Sequence, residues 1–267
     1  RPPEQAPQQV RVRSFLNTDE VFKLYDAIAY AMWKDGVVLN THVIILWSQM
    51  GLTEKEGDAV LGRYLHKAQK WLRVGTKPRS RFSANARHEG TELRYAWVHE
   101  SSPNRGFHSH VLLNVPPRLS KEFREWSRQC LVRDIGKHFP WKAFRLVRSY
   151  AKIEDSAVKR VWSWFRYLSK QLHPEIKVCC RENGVIIGTP VLRDLLKPRP
   201  FRKSLPIPLR HLAGVSHNIG KGAQQKDGFR SRLITADFDD LYRGHEMNDW
   251  RRRLEDERRE ELHKSLQ

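Results

Sequence analysis

The segment GFHSHVLLNV, residues 106–115, constrains this chain more than any other. It is short, apolar and β-branched, and it opens on a glycine, so it reads as a strand. A strand sends alternate side chains to opposite faces. His108 and His110 therefore share one face with Leu112 and Asn114. Phe107, Ser109, Val111, Leu113 and Val115 take the other, which reads as core. Two imidazoles side by side on one strand face form the start of a chelate. An isolated His-x-His pair is more often structural than ligating, so its neighbours decide its meaning.

Those neighbours come from the order of the flanking segments. Residues 17–36 read as a helix, with polar residues and acids at its start and Gly36 at its end. THVIILWS (41–48) is a buried strand. Residues 53–75 open with Thr53 and Glu56 at capping-box spacing. Val60, Leu61, Tyr64, Leu65, Ala68, Trp71 and Leu72 follow at helical spacing. Residues 76–90 form a basic loop, and 92–100 a strand that SSPNRG turns into the histidine strand. Ser120 caps a helix over 121–139, 143–149 is a strand, 156–172 a helix, and 176–188 a hairpin.

From 41 to 149 the order is strand, helix, strand, strand, helix, strand. That is the order of a ferredoxin-like double split βαβ unit. The expected fold is α+β, a central antiparallel sheet with helices flanking it on one face. Residues 1–16 read as a flexible arm and 17–190 as the main domain. Residues 191–267 read as a basic, proline-rich linker and a charged helical tail.

Glu100 ends the strand that precedes the histidine strand. It alternates with His99, so a carboxylate joins the two imidazoles if the register agrees. His99 takes its place if the register slips by one. A strand-end acid in a basic protein is the plainer reading of Glu100. Two histidines and a carboxylate leave coordination positions open, as a catalytic metal requires. Non-haem iron and cupin-type sites share that ligand set. They would call for a further ligand at a fitting spacing, and no acid follows His110 at short range.

On the helix 156–172, Val158, Val161, Trp162, Phe165, Leu168 and Leu172 form one apolar stripe. Tyr167 projects away from it, with Lys170 three residues on and beside it. The pair suits a nucleophile and its electrostatic partner. Its commoner meaning is an interfacial tyrosine with a snorkelling lysine.

The chain carries 49 Lys and Arg against 30 Asp and Glu, a formal charge of +19. Such an excess points to a polyanion, nucleic acid first. TKPRSRF and KPRPFRK mix cations with phenylalanine, as phosphate contact and base stacking require. Cys130, Cys179 and Cys180 match neither a disulfide framework nor a zinc pattern. They read as reduced thiols of a cytoplasmic protein. No apolar run is long enough to span a membrane and no signal peptide is visible. GVSHNIGKG (214–222) misses the P-loop spacing, so no ATPase is expected.

GFHSH followed by YLSK (167–170) resembles the HUH endonucleases, and among them the single-tyrosine rolling-circle replication initiators (Rep proteins) of plasmids, phages and single-stranded DNA viruses. The resemblance covers residues 40–175, and Ser109 departs from it where the family has a bulky apolar residue. It implies a divalent metal, Mg2+ or Mn2+, on His108, His110 and Glu100. It implies Tyr167 as nucleophile, with Lys170 stabilising phosphate charge or orienting DNA. A tyrosine hydroxyl, with a pKa of about 10, is a weak nucleophile at neutral pH. The metal would polarise and orient the scissile phosphate of single-stranded DNA at an origin or hairpin. Attack by Tyr167 would form a 5′-phosphotyrosine bond and release a 3′-hydroxyl, so a later 3′-hydroxyl can rejoin the strand. Host replication proteins are implied partners. Tyr150 sits at the edge of the preceding strand and is not paired with Tyr167. A transposase or relaxase uses the same chemistry. A non-catalytic DNA-binding regulator is the alternative of another class.

Overall fold

The computed structural model describes residues 12–74, 91–136, 139–149, 154–182, 185–196, 198–200 and 204–231. The first ten residues, the basic loop at 76–90, Tyr150 and the charged tail from 232 lie outside the described residues. So does KPRPFRK, apart from its Pro198, Arg199 and Pro200.

Helix α1 (Thr18–Asp35) starts at a complete capping box, with Asn17 and Glu20 each bonding the other's backbone N–H. It stops at Gly36, whose φ of 62° is the left-handed cap that glycine adopts most readily. Strand β1 (Thr41–Ile45) is shorter than the apolar run, because Trp47–Met50 coil into a 3-10 turn. Helix α2 (Glu54–Val74) begins with the expected Thr53–Glu56 bonds. Strands β2 (Tyr95–Ser102) and β3 (Gly106–Leu113) form the hairpin. Helix α3 (Ser120–Ile135) and strand β4 (Phe144–Arg148) follow. Ser120 is not its cap: the 3-10 turn Pro117–Leu119 runs straight into α3, so Ser120 is already helical and its N–H bonds Pro117 O. Gly136 ends that helix short of 139. Helix α4 (Glu154–Leu168) gives way to a 3-10 turn, Ser169–Gln171, where a continuous helix was expected. The short hairpin is β5 (Cys180–Glu182) and β6 (Val185–Gly188), followed by α5 (Leu192–Leu196). Strand β7 (Ala213–Val215) and helix α6 (Lys221–Lys226) complete the described chain.

The main sheet has five strands in the order β4-β1-β3-β2-β7, every neighbouring pair antiparallel. The protein is thus α+β, an antiparallel sheet with flanking helices. The helices lie on both faces, not one. Asp58 of α2 bonds His99, and Gly57 abuts Phe107, which places α2 on the face of Phe107, Ser109 and Val111. Trp164 and Tyr167 of α4 meet His42, and Lys170 meets Glu100, on the opposite face. Tyr25 of α1 packs on Trp162 of α4 at 4.9 Å. The stripe Val158, Val161, Trp162, Phe165, Leu168 and Leu172 is buried, as expected.

The boundary expected at 190 is not where packing stops. β7 pairs with β2, Leu205 N donates to Ser101 O, and Leu212 N donates to Glu20. Glu20 also takes both arms of Arg13, so one buried carboxylate ties the first described residues and the 204–215 segment to α1. Three strand residues, Ala213–Val215, give too little periodicity for β7 to register in the sequence. Among the described residues no helix is long and apolar enough to cross a membrane.

α2 reaches the sheet through Gly57. A Cβ there would stand 2.7 Å from Trp47 Cγ and 2.9 Å from Phe107 Cε1. Gly57→Ala is expected to lower unfolding free energy by ~1–3 kcal/mol through overpacking, despite alanine's better helix propensity. A denaturant midpoint equal to or above wild type would show that α2 does not seat there.

Candidate metal centre

The β2–β3 turn sets the site. Arg105 N donates to Ser102 O, and Gly106 closes the turn at φ 64°. A Cβ on Gly106 would fall 2.5 Å from Ser48, whose hydroxyl accepts from Phe107 N at 2.7 Å. That fixes the register. Glu100 pairs with His108, Val98 with His110, and His99 with Ser109. Glu100, His108 and His110 therefore share a face, and His99 points to the other.

His108 Nδ1 lies 2.8 Å from Gly106 O. A carbonyl only accepts, so the ring proton sits on Nδ1 and Nε2 presents a lone pair. Glu100 Oε2 is 3.4 Å from His108 Nε2 and 3.3 Å from His110 Nε2. Both nitrogens are buried and neither makes a hydrogen bond. Each residue offers one ligand atom, and the three lie within 4.8 Å of one another. Ligands at ~2.0–2.2 Å from a common ion stand roughly 3–3.5 Å apart. The group can hold a metal ion.

Electrostatics agree. Burial pushes the Glu100 carboxyl up, but His108 and His110, where their rings carry the proton on Nε2, outweigh it and hold it well below the usual carboxylate range in the metal-free site. Burial lowers His110 to about 4, although Glu100 beside it pulls the other way. Glu100 thus stays an anion and His110 stays neutral, the forms that ligate.

Tyr167 ends α4 half-buried, its ring edge-on to His110 with centroids 5.0 Å apart. It turns from the stripe, as expected, and onto the ligand face of the sheet. Lys170 sits in the 3-10 turn, 3.7 Å above the Tyr167 ring, and donates to Glu100 Oε2 at 2.7 Å. It was expected to serve phosphate; here it bridges Glu100 and Tyr167. The guanidinium of Arg199 lies 5.7 Å from the same ring. A cavity of about 580 Å³ opens here, lined by Glu100, His108, Tyr167, Lys170, Arg105 and Arg199 among others.

His99, the alternative ligand, bonds Asp58 at 2.9 Å and Ser109 at 2.7 Å. Ser109 also accepts from the Trp47 indole at 2.6 Å. Ser109 therefore completes a polar chain behind the site.

Two residues were not anticipated. His42 of β1 meets His110, Nε2 to Nδ1, at 3.1 Å, and burial followed by neighbouring positive charge holds it well below its ordinary pKa. Its face could be read from the alternation of THVIILWS, but its neighbour depends on strand order. Arg199 lay unranked within KPRPFRK. The chain was compared with protein-family models, curated proteins and solved structures. Nothing matches in any of the three.

The lowered histidines make stability pH-dependent. His110 titrates near 6.5 in the unfolded chain and at about 4 in the fold, so the unfolded chain binds more protons between those values. Stability without metal is full above about pH 6.5 and falls as pH drops towards 4, by ~3 kcal/mol for His110 alone. His42 and His99, also lowered by burial, act in the same direction. Denaturant midpoints measured across that window should rise steadily from pH 4 to pH 6.5; a profile that is flat, or that falls as pH rises, would contradict the buried neutral histidines.

Proposed function

We propose that this chain is an HUH-type, metal-dependent single-stranded DNA endonuclease and strand transferase, built on a ferredoxin-like core. The observation that carries this is the seating of Tyr167 against His110 beside an open cavity, over a carboxylate and two imidazoles that can hold a metal. The β4-β1-β3-β2 part of the sheet has the strand order of a split βαβ unit, which supports the fold reading. The charge of +19 supports a nucleic-acid substrate. The resemblance of GFHSH and YLSK to rolling-circle initiators supports a role in starting replication of a plasmid or phage.

Glu100, His108 and His110 would hold Mg2+ or Mn2+, which when bound polarises a phosphodiester and holds it in line for attack. The chain's own residues do the rest. The Tyr167 oxygen forms a bond to phosphorus as the P–O3′ bond breaks. The phenolic proton leaves to solvent, and the departing 3′-oxygen takes up a proton to become a hydroxyl. Lys170 keeps the ring and the Glu100 carboxylate in fixed relation. Arg105 and Arg199, on the cavity wall, receive the flanking phosphates.

Tyr167→Phe keeps the ring and its packing but lacks the attacking oxygen. It is expected to bind labelled single-stranded DNA as wild type does, yet form no covalent band on a denaturing gel with Mn2+. His108→Ala should lose the band as well, while keeping salt-sensitive DNA binding. A band that persists in Tyr167→Phe, or maps to Tyr150 or Tyr242, would remove Tyr167 as nucleophile. Wild type that binds DNA and never yields a band with any oligonucleotide would favour the non-catalytic regulator.

A further inference from the structure

We propose that His42 is a positioning residue: by accepting a hydrogen bond from His110, it fixes the ring tautomer in which His110 offers Nε2 to the metal. The inference rests on the reading of Glu100, His108 and His110 as a metal site. Neutral imidazoles in contact share a single proton, one ring donating and the other accepting. The contact runs from His42 Nε2 to His110 Nδ1 at 3.1 Å, between two buried rings. If His42 donated, the His110 proton would sit on Nε2, aimed into the cluster, and would block ligation. If His42 accepts, His110 Nδ1 carries the proton and Nε2 is free. Only the second arrangement lets a bound cation satisfy the buried His110 nitrogen that has no hydrogen bond.

His108 reaches the same tautomer differently, through the Gly106 carbonyl on its own strand. Ring packing keeps His42 in place against His110. Trp164 packs on it with centroids 5.4 Å apart, and Tyr167 at 6.3 Å. One side chain on β1 thus touches a candidate ligand on β3 and the helix that carries the candidate nucleophile. Outer partners of metal-bound histidines commonly work in this way.

The test is Mn2+ binding by calorimetry to wild type, His42→Phe and His42→Gln, with folding checked by circular dichroism. Phenylalanine keeps ring volume but cannot accept. It is expected to weaken Mn2+ binding by roughly 10- to 100-fold. Glutamine offers a carbonyl oxygen and should recover most of that loss, which a merely structural role would not predict. Phe binding as tight as wild type, or Gln as weak as Phe, would overturn the proposal. If the variants do not fold, nitrogen-15 NMR of the wild type with Mg2+ decides. His42 should carry its proton on Nδ1, and a proton on Nε2 would overturn the proposal. Wild type that binds no Mn2+ would bring down the metal-site reading itself, and the proposal with it.

Discussion

The buried anion of Glu100 is the constraint on which the rest of the site depends. A carboxylate with little water access is costly unless it is paired and hydrogen-bonded. Lys170 supplies the near partner at 2.7 Å. The two imidazole Nε2 atoms lie 3.3–3.4 Å from it without making a hydrogen bond. Such a cluster is poor design for a core and good design for a cation site. The same ammonium lies on the Tyr167 ring, so the nucleophile candidate and the ligand candidate are held by one side chain.

The surrounding fold serves this cluster from both faces of the sheet. On one face, α4 and its terminal turn deliver Trp164, Tyr167 and Lys170. On the other, the Trp47–Ser109–His99–Asp58 chain, buried as far as His99, holds β2 and β3 in register through hydrogen bonds. A slip of one residue would exchange Glu100 for His99, so that chain also selects the ligand. β7 covers the outer edge of β2, giving the Glu100 strand a neighbour on each side.

Much of this was legible in the sequence, and the remainder was hidden for physical reasons. Period-two alternation alone put His108 and His110 together and set Glu100 apart from His99. It could not choose between those two, because alternation gives faces while register comes from the turn. Here the turn is decided by Gly106, where any side chain would be strained at φ 64° and would press on Ser48. Tyr167 was legible because the helix stripe points the other way. The partner of Lys170 was not, since the helix tightens into a 3-10 turn just after Leu168. His42 was invisible as a functional residue: it gains meaning only once β1 lies beside β3. β7 was missed because its hydrogen bonds, not its hydrophobicity, make it a strand.

The central claim is that Glu100, His108 and His110 hold one divalent ion beneath Tyr167. Anomalous diffraction from crystals soaked in Mn2+ tests it most directly. The account predicts a single strong peak at ~2.0–2.3 Å from Glu100 Oε2, His108 Nε2 and His110 Nε2 together. Crystals that take up Mn2+ elsewhere, with Lys170 closing on Glu100 and no density between the imidazoles, would contradict it.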